Sequence, residues 1–234
     1  MFDKYEYKHE SDHMYCYPNT NILINKLNIK NDTALHNAEM EIVAYQTAGL
    51  LEKPTKGDFD FKHLKAIHKR LFGQIYEWAG APRMVAISKG SLFCLPQHIE
   101  SSADRLFGEL SLNHFYITNR YDETLELLTK FFADINALHP FREGNGRSQR
   151  EFIEELAKIN GVDLDLTVVD RMDMIKASRE SINGDYAKLR TMFKNCSQKM
   201  SLEEQIKSIQ IYCSKALAKD LIEELKEKQQ DSKI

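Results

Sequence analysis

Apolar residues recur at the three- and four-residue steps of α-helices along most of this chain. The clearest run stops before Pro140 and consists of Leu125, Leu128, Phe131, Phe132, Ile135 and Leu138. This spacing gathers apolar side chains on one face of a helix, and that face has to be buried against another element. Only 10 glycines and 5 prolines interrupt the 234 residues. The pattern therefore favours an all-α fold, a bundle of helices around one core.

Caps and helix breakers set the expected boundaries of these helices. The residue before a proline avoids the α region, so one helix ends near Pro140. The first predicted helix begins at Thr33, capped by Asn31 or Asp32, and the second begins after Asp58. Further helices are predicted over 99–112, from about Glu123 to near Pro140, from about Arg147 to Asn160, over 170–182 and over 185–193. One long amphipathic helix is predicted from Ser201.

Residues 83–93 are the exception to the helical pattern. Val85 and Ile87 occupy alternate positions, as in a strand. Lys89 and Gly90 supply a turn, and Leu92 and Phe93 begin a second strand. Alternation around a glycine-containing turn is typical of a β-hairpin. The expected fold is therefore all-α with one short hairpin and an amphipathic helix at the C-terminus.

Length and charge restrict the class of protein. The chain suits one large domain, or one domain with an appendage. A formal net charge of −3 argues against nucleic acid or an anionic membrane as the ligand, because proteins that bind these usually carry a basic face. No apolar stretch approaches the roughly 18 residues of a membrane span. The four scattered cysteines favour reduced thiols over disulfides, and a cytoplasmic protein is expected.

The segment HPFREGNGRSQR, residues 139–150, has the composition of an anion-binding loop. Gly144, Asn145 and Gly146 permit backbone conformations that aim consecutive N–H groups at one point. The following helix adds the positive end of its dipole. Arg147 and Arg150 lie on one face of that helix, and two guanidinium groups beside such a loop suit a polyphosphate.

Two further groups next to this loop have the chemistry of phosphoryl or nucleotidyl transfer. Glu143 supplies a carboxylate that can hold Mg²⁺ bridging the phosphates. His139 stands just before the loop, where it can accept a proton from an incoming hydroxyl group. The segment therefore predicts a transfer site rather than a site that only binds an anion.

The segment resembles the signature of the Fic family, His-x-Phe-x-(Asp/Glu)-Gly-Asn-Gly-Arg-x-x-Arg, and it matches every specified position. Similar pieces lie elsewhere in the chain: YCYPNTNILINKLNI resembles the N-terminal segment of compact bacterial Fic proteins, IYEWAGAPRMVAISKGSLF resembles the hairpin called the flap, and SINGDYAKL resembles the segment that closes the nucleotide pocket. The resemblance covers roughly residues 15–195. It implies the Fic fold and transfer of AMP from ATP, with Mg²⁺, to a hydroxyl group of a target protein.

The resemblance also implies a role for each matching residue. His139 would deprotonate the target hydroxyl, Phe141 would anchor the loop in the core and Glu143 would bind Mg²⁺. The residues implied to contact the nucleotide are Gly144, Asn145, Gly146, Arg147 and Arg150 around the phosphates, Lys89 and Gly90 beside the nucleotide, and Asn183, Asp185 and Tyr186 near the adenine. Ile87, Ser88 and Lys89 would align the target by adding a strand to the flap.

Two alternatives to AMP transfer stay open at this point. A kinase-like branch of the family has a Lys where this chain has Gly146, so AMP transfer is favoured over kinase chemistry, but a nucleotide donor other than ATP fits the same motif. The second alternative is a Fic-fold binding or scaffold protein that holds nucleotide without turnover. Degenerate family members usually lose the His, the acid or the Arg, and this chain retains all three.

The sequence indicates least about how the activity of this protein is inhibited. Many Fic proteins are inhibited by a helix reading (Ser/Thr)-x-x-x-Glu-(Gly/Asn), whose Glu pairs with the second motif arginine, and no such segment occurs here. We divide the chain into an N-terminal arm (1–30), a Fic core (31–198) and a C-terminal helix (199–234). A small antitoxin acting in trans is the favoured inhibitor, which would make this chain a toxin. A degenerate contact through Glu223 or Glu224, simple packing and a homo-oligomer are the other interpretations.

Overall fold

A computed structural model describes residues 13–88, 92–117 and 120–231 of this protein. Its helices are α1 (Asp32–Glu52), α2 (Phe61–Phe72), α3 (Ile99–Leu112), α4 (Tyr121–Leu138), α5 (Asn145–Ile159), α6 (Arg171–Ile182), α7 (Ala187–Asn195), α8 (Leu202–Tyr212) and α9 (Lys215–Asp231). Short 3-10 turns lie at Pro96–His98, His114–Tyr116 and Leu166–Val168. The predicted all-α class is confirmed, and no helix in the described ranges is long and apolar enough to cross a membrane.

Side-chain caps fix several helix starts close to the predicted positions. Asn31 accepts a hydrogen bond from the Ala34 N–H at 2.9 Å and caps α1, as the sequence indicated. Asp60 and Asp170 cap α2 and α6 in the same way. Because a cap satisfies main-chain N–H groups that have no partner inside the helix, it marks the start of each helix locally.

Helix α5 lies at the centre of the core and carries the second half of the motif. It packs against α2, α4, α8 and the strand β1 (Val162–Leu164). The side chains of Phe152, Ile153, Leu156 and Ile159 on α5 are fully buried. A helix buried on several sides has little freedom to shift, so its N-terminus is a fixed point on which a site can be built.

The small antiparallel sheet was not predicted from the sequence. β1 pairs with β2 (Ser197–Lys199), with Val162 opposite Lys199 and Leu164 opposite Ser197. Each strand has only three residues, too few to show a two-residue hydrophobic period. The sheet joins the end of α5 to the segment before α8, so it ties the C-terminal part of the chain to the central helix.

The prediction of one long C-terminal helix from Ser201 is wrong, because the chain bends between α8 and α9. The Gly57 N–H donates to the Tyr212 carbonyl at 3.0 Å, and the Ser214 N–H donates to the Gly57 carbonyl at 2.9 Å. Main-chain pairing with a remote segment extends Cys213 and ends α8. The bend lets α9 bury Leu221 and Leu225.

The predicted hairpin at 83–93, which we call the flap, contains less regular pairing than expected in its described part. Ser88 and Leu92 form one antiparallel bridge, and the Phe93 N–H donates to the Ile87 carbonyl at 3.3 Å. Ile87 and Phe93 are buried, whereas Leu92 is exposed. Lys89 and Gly90, which the sequence assigned to the nucleotide, lie outside the described residues.

Candidate active site

The loop between α4 and α5 is closed by one asparagine. The Asn145 Oδ1 accepts from the Phe141 N–H at 2.8 Å, and its Nδ2 donates to the Phe141 carbonyl at 2.7 Å. Both Asn145 and Phe141 are completely buried. The Asn145 side chain is therefore committed to the shape of the loop, and the group it can offer a phosphate is its main-chain N–H at the start of α5.

Helix α2 forms the floor under this loop through His68 and Phe72. The His68 Nε2–H donates to the Glu143 carbonyl at 2.9 Å, and its Nδ1 accepts from the Gly80 N–H at 2.9 Å. The His68 ring stacks on Phe141 at 3.8 Å between ring centroids. A neutral imidazole matches these two bonds, one donated and one accepted. Burial lowers the pKa of His68 to about 3, which agrees with a neutral ring.

We expect this histidine to make folding sensitive to acid. Its folded-state pKa of about 3 lies below the ordinary value of 6.5, so its contribution to stability is complete above pH 6.5 and is lost as pH falls toward 3. Between pH 7 and pH 5 the loss is about 2 kcal/mol. Denaturant titrations at both pH values measure this change in the free energy of unfolding.

The variant His68→Gln serves as the comparison for the acid-sensitivity prediction. Its amide can donate where the imidazole Nε2–H donates, but it has no proton to gain in this pH range. It is less stable at pH 7 because the ring stacking is lost, and its stability changes less between pH 7 and pH 5. Equal pH dependence in the two proteins would contradict this account.

His139 is held at the end of α4 in a left-handed conformation, with φ of 43° and ψ of 60°. Its ring is buried, at 5% exposure, and stacks on Phe93 with 3.7 Å between ring centroids. The Nδ1 atom lies 3.3 Å from the Asn136 carbonyl. Since a carbonyl only accepts, Nδ1 carries the proton of the neutral ring and Nε2 carries the lone pair. This tautomer can accept a proton at Nε2.

Arg147, at the first turn of α5, is held by two carboxylates. Its Nη2 atom lies 2.6 Å from the Glu39 Oε1 and 3.4 Å from the Glu143 Oε1. The other oxygen of Glu39 accepts from the Tyr76 hydroxyl at 2.5 Å. Burial and the neighbouring Glu39 raise the pKa of Tyr76, so its hydroxyl stays protonated and donates. These contacts fix the guanidinium, which also lies over the Phe72 ring.

Arg150 differs from Arg147 in its surroundings. Within the described parts of the chain, Arg150 makes no hydrogen bond or ion pair. Burial and the adjacent Arg147 lower the pKa of the Arg150 guanidinium. Arginine stays charged in proteins, so its positive charge adds to the field at the N-terminus of α5, where the helix dipole also attracts anions.

The predicted inhibitory contact from the C-terminal helix is absent among the residues that the structure covers. Glu224 on α9 is paired instead with His114 at 3.2 Å and with Lys228 at 2.6 Å. Glu223 is exposed and makes no ion pair there. The hypothesis of a contact between these carboxylates and Arg150 is therefore wrong for this arrangement of the chain.

The residues predicted near adenine lie at the junction of α6 and α7, which both pack against α4. Asn183 ends α6, Tyr186 precedes α7, and Asp185 accepts a hydrogen bond from the Ala187 N–H. No hydrogen bond joins these three residues to the 139–150 segment in the described structure. Their contact with a nucleotide stays a prediction.

Glu39 and Arg83, which were missed in the sequence, support the site, and so does Tyr76. All three are buried polar side chains, and each makes its key contact with a residue far away in sequence. One signal was present, since Glu39 falls among the apolar positions on the inner face of α1. A carboxylate at such a position needs a partner, but the sequence does not identify that partner.

Among the described residues, no group of three or more His, Cys, Asp or Glu side chains is arranged to hold a metal ion. The acid inside the loop is Glu143, whose Oε1 also accepts from the Gly144 N–H at 2.9 Å. Glu143 is partly exposed at the N-terminus of α5, so its carboxylate is accessible to a ligand at this point.

Comparison with known proteins agrees with this geometry. The Fic/DOC family model matches residues 58–157. The probable protein adenylyltransferase y4lH of Sinorhizobium fredii is 38% identical over 176 residues, which cover 74% of this chain and 90% of that protein. The probable protein adenylyltransferase Fic of Escherichia coli is 32% identical over 181 residues, covering 76% of this chain and 89% of that protein.

A solved structure has the same fold. The crystal structure of BepC, a VirB-translocated effector protein of Bartonella tribocorum with bound AMPPNP, superimposes with a TM-score of 0.76. Sequence identity is 25%, and the match covers 82% of this chain and all of that one. The intact loop, the shared fold and the extended similarity to relatives show that this chain belongs to the Fic/DOC family.

Proposed function

We propose that this protein transfers AMP from ATP to a hydroxyl group of a target protein. The observation that carries the proposal is the position of the His139 Nδ1 atom, 3.3 Å from the Asn136 carbonyl, which assigns the proton of the neutral ring to Nδ1 and leaves the lone pair on Nε2. This histidine precedes a helix N-terminus that carries two arginines. Relatives named as protein adenylyltransferases, and nucleotide in the BepC structure, support the same chemistry.

The proposed reaction exchanges one bond at phosphorus for another and moves one proton. The oxygen of the target hydroxyl attacks the α-phosphorus of ATP, the bond from that phosphorus to the oxygen bridging the β-phosphate breaks, and pyrophosphate leaves. The hydroxyl proton goes to Nε2 of His139. The N–H groups at the start of α5, together with Arg147 and Arg150, bind the phosphates and stabilise charge on the leaving group.

Mg²⁺ fits the donor chemistry of this site. It is commonly held by one or two carboxylates together with substrate phosphates, and Glu143 supplies a partly exposed carboxylate beside the phosphate-binding helix end. When bound, the ion offsets negative charge on the phosphates. Glu143 would hold it, and Arg147, 3.4 Å from the same carboxylate, would help to orient that side chain.

The target side chain in this proposal is a Tyr, Ser or Thr, because these residues carry hydroxyl groups. The chain would act in the cytoplasm as a toxin and would be restrained by a small antitoxin protein. Support comes from Arg150, which makes no ion pair in the described structure, and from the missing inhibitory motif. An inhibitor that pairs with Arg150 would come from outside the described residues, and a small partner protein fits that role.

The proposal is tested by following the α-phosphate and the γ-phosphate of ATP in separate reactions. Purified protein is incubated with Mg²⁺, bacterial lysate and ATP labelled on either the α- or the γ-phosphate. We expect a labelled protein band with the α-label, no band with the γ-label, and no transfer in EDTA. A band with the γ-label would indicate a kinase. Binding of ATP without any labelled protein would instead support a nucleotide-binding module.

A further inference from the structure

We propose that Arg83 is a positioning residue that links the base of the flap to His139, so that target docking and proton acceptance depend on one buried support. This proposal rests on the proposed AMP transfer and deepens it. Sequence similarity assigned no role to Arg83, whose side chain donates to three main-chain carbonyls.

The side chain of Arg83 connects three separate segments. Its Nε donates to the His139 carbonyl at 2.9 Å, Nη1 donates to the Val85 carbonyl at 2.8 Å, and Nη2 donates to the Cys94 carbonyl at 2.5 Å. Its main-chain N–H donates to the Pro140 carbonyl at 2.8 Å. Arg83 is 2% exposed, so these bonds form away from water. Hydrogen bonds from a charged donor are stronger than neutral ones, and burial makes their loss costly.

The backbone of His139 needs such support. Its positive φ of 43° is an uncommon conformation for a residue with a side chain. Conformations of this kind persist only where the surroundings over-determine them. Arg83 holds the carbonyls of both His139 and the following Pro140. Its positive charge also lies against the C-terminus of α4, where the helix dipole favours a cation.

The second strand of the flap and the residue after it also contact His139 and the end of α4. The Cys94 N–H donates to the Ala137 carbonyl in the last turn of α4 at 3.1 Å. The preceding residue, Phe93, stacks its ring on the ring of His139. Since Arg83 holds the Cys94 carbonyl, it fixes the arm that carries Phe93. Movement of this arm would therefore shift the ring that accepts the proton.

The first arm of the flap completes the link. Arg83 holds the Val85 carbonyl, and the chain then runs to Ser88, which pairs with Leu92 across the flap. This edge is where we propose that the target adds a strand. Arg83 therefore fixes the start of the docking edge and the backbone of the proton acceptor at the same time.

The experiment uses the full chain with the substitutions Arg83→Lys and Arg83→Met. Lys keeps the charge and one donor group, whereas Met keeps only the apolar stem. We expect the rate of label transfer to the lysate protein to fall on the order of 10²-fold in Arg83→Met, since a small misplacement of reacting groups has about this effect. Arg83→Lys retains part of the activity, and the Kd for AMPPNP stays unchanged in both.

Asn160 provides a matched control, because it is also a buried polar side chain that holds a remote main-chain carbonyl. Its Nδ2 donates to the Phe115 carbonyl at 2.8 Å, at the end of α5 opposite the motif loop. Asn160→Ala is expected to lower the free energy of unfolding and to leave the transfer rate unchanged. A fall in transfer as large as that of Arg83→Met would overturn the proposal.

Two readouts do not depend on transfer, so they separate this proposal from the proposed function. Nitrogen NMR of the imidazole reports the tautomer of His139, and amide exchange reports protection of the Phe93 and Cys94 N–H groups. We expect Arg83→Met to disturb the His139 signals and to speed exchange of both amides. If the intact chain transfers no label, the function fails, and unchanged NMR and exchange in Arg83→Met would overturn the positioning role as well.

Phe93→Leu covers the case in which neither arginine variant folds. It removes the ring stacked on His139 and leaves the Arg83 side chain in place. We expect slower label transfer with an unchanged Kd for AMPPNP. Unchanged transfer in Phe93→Leu would mean that the flap arm does not act on His139, and the proposal would be wrong.

Discussion

Replacing His139 with Ala is expected to lower the rate of AMP transfer by about 10²- to 10⁴-fold, the range for loss of a general base. Nucleotide affinity should be unchanged, because the described contacts of this ring with Asn136 and Phe93 do not involve the N-terminus of α5, where we propose that the phosphates bind. Initial rates with α-labelled ATP measure the first quantity. Calorimetric titration with AMPPNP measures the second.

His114→Ala is the matched control for this prediction. His114 is exposed and pairs with Glu224 on α9, away from the motif loop. Its loss should leave the transfer rate as in the unmodified protein. Transfer by His139→Ala at the rate of His114→Ala would exclude His139 as the proton acceptor. A fall in AMPPNP affinity equal to the fall in rate would assign the histidine to binding instead.

Gly144→Ala is expected to lower the free energy of unfolding by about 3 kcal/mol, from a strained backbone and an overpacked contact together. Gly144 has φ of +81°, and an added Cβ would lie 2.4 Å from the Phe72 ring. The loop can relieve this contact only by moving away from α2, which displaces the N–H groups at the start of α5. AMPPNP binding should therefore be lost along with stability.

Substitutions at two other glycines distinguish the effect of backbone strain from that of the contact between the added Cβ and Phe72. Gly184 has φ of +87° and no atom within 4 Å of an added Cβ, so Gly184→Ala should cost only about 1 kcal/mol. Gly108, in the middle of α3, also has open space and an ordinary helical backbone, so Gly108→Ala should add up to about 1 kcal/mol of stability. Denaturant titration ranks all three variants. Equal losses in Gly144→Ala and Gly184→Ala would show that the Phe72 contact is unimportant.

Helix positions could be predicted because their causes are local. The caps at Asn31 and Asp60 act on N–H groups three residues away, and the apolar face of α4 repeats within one turn. The bend between α8 and α9 has a remote cause, the main-chain pairing of Gly57 with Tyr212 and Ser214. The periodicity of α8 and α9 continues across the bend, so the sequence indicated a single helix there.

The chemistry of the candidate site was likewise contained in one segment. The residues of HPFREGNGRSQR lie within twelve positions, and their types indicate a phosphate-binding loop with a proton acceptor and a carboxylate. The contacts that each of these side chains makes were decided by packing in the folded protein. Asn145 appeared in the sequence as a phosphate contact, but its side chain closes the loop on Phe141, because a buried amide has to satisfy its hydrogen bonds.

The sequence by itself determined the all-α class, the helix that presents the loop and the groups available for transfer. Tertiary structure alone decided which of these groups are held in place and by what. Arg83 meets the His139 carbonyl across 56 residues, and Arg147 meets Glu39 across 108. The physical reason is that helices and caps form among neighbours in sequence, whereas a buried charge needs a partner that only the packed core brings to it.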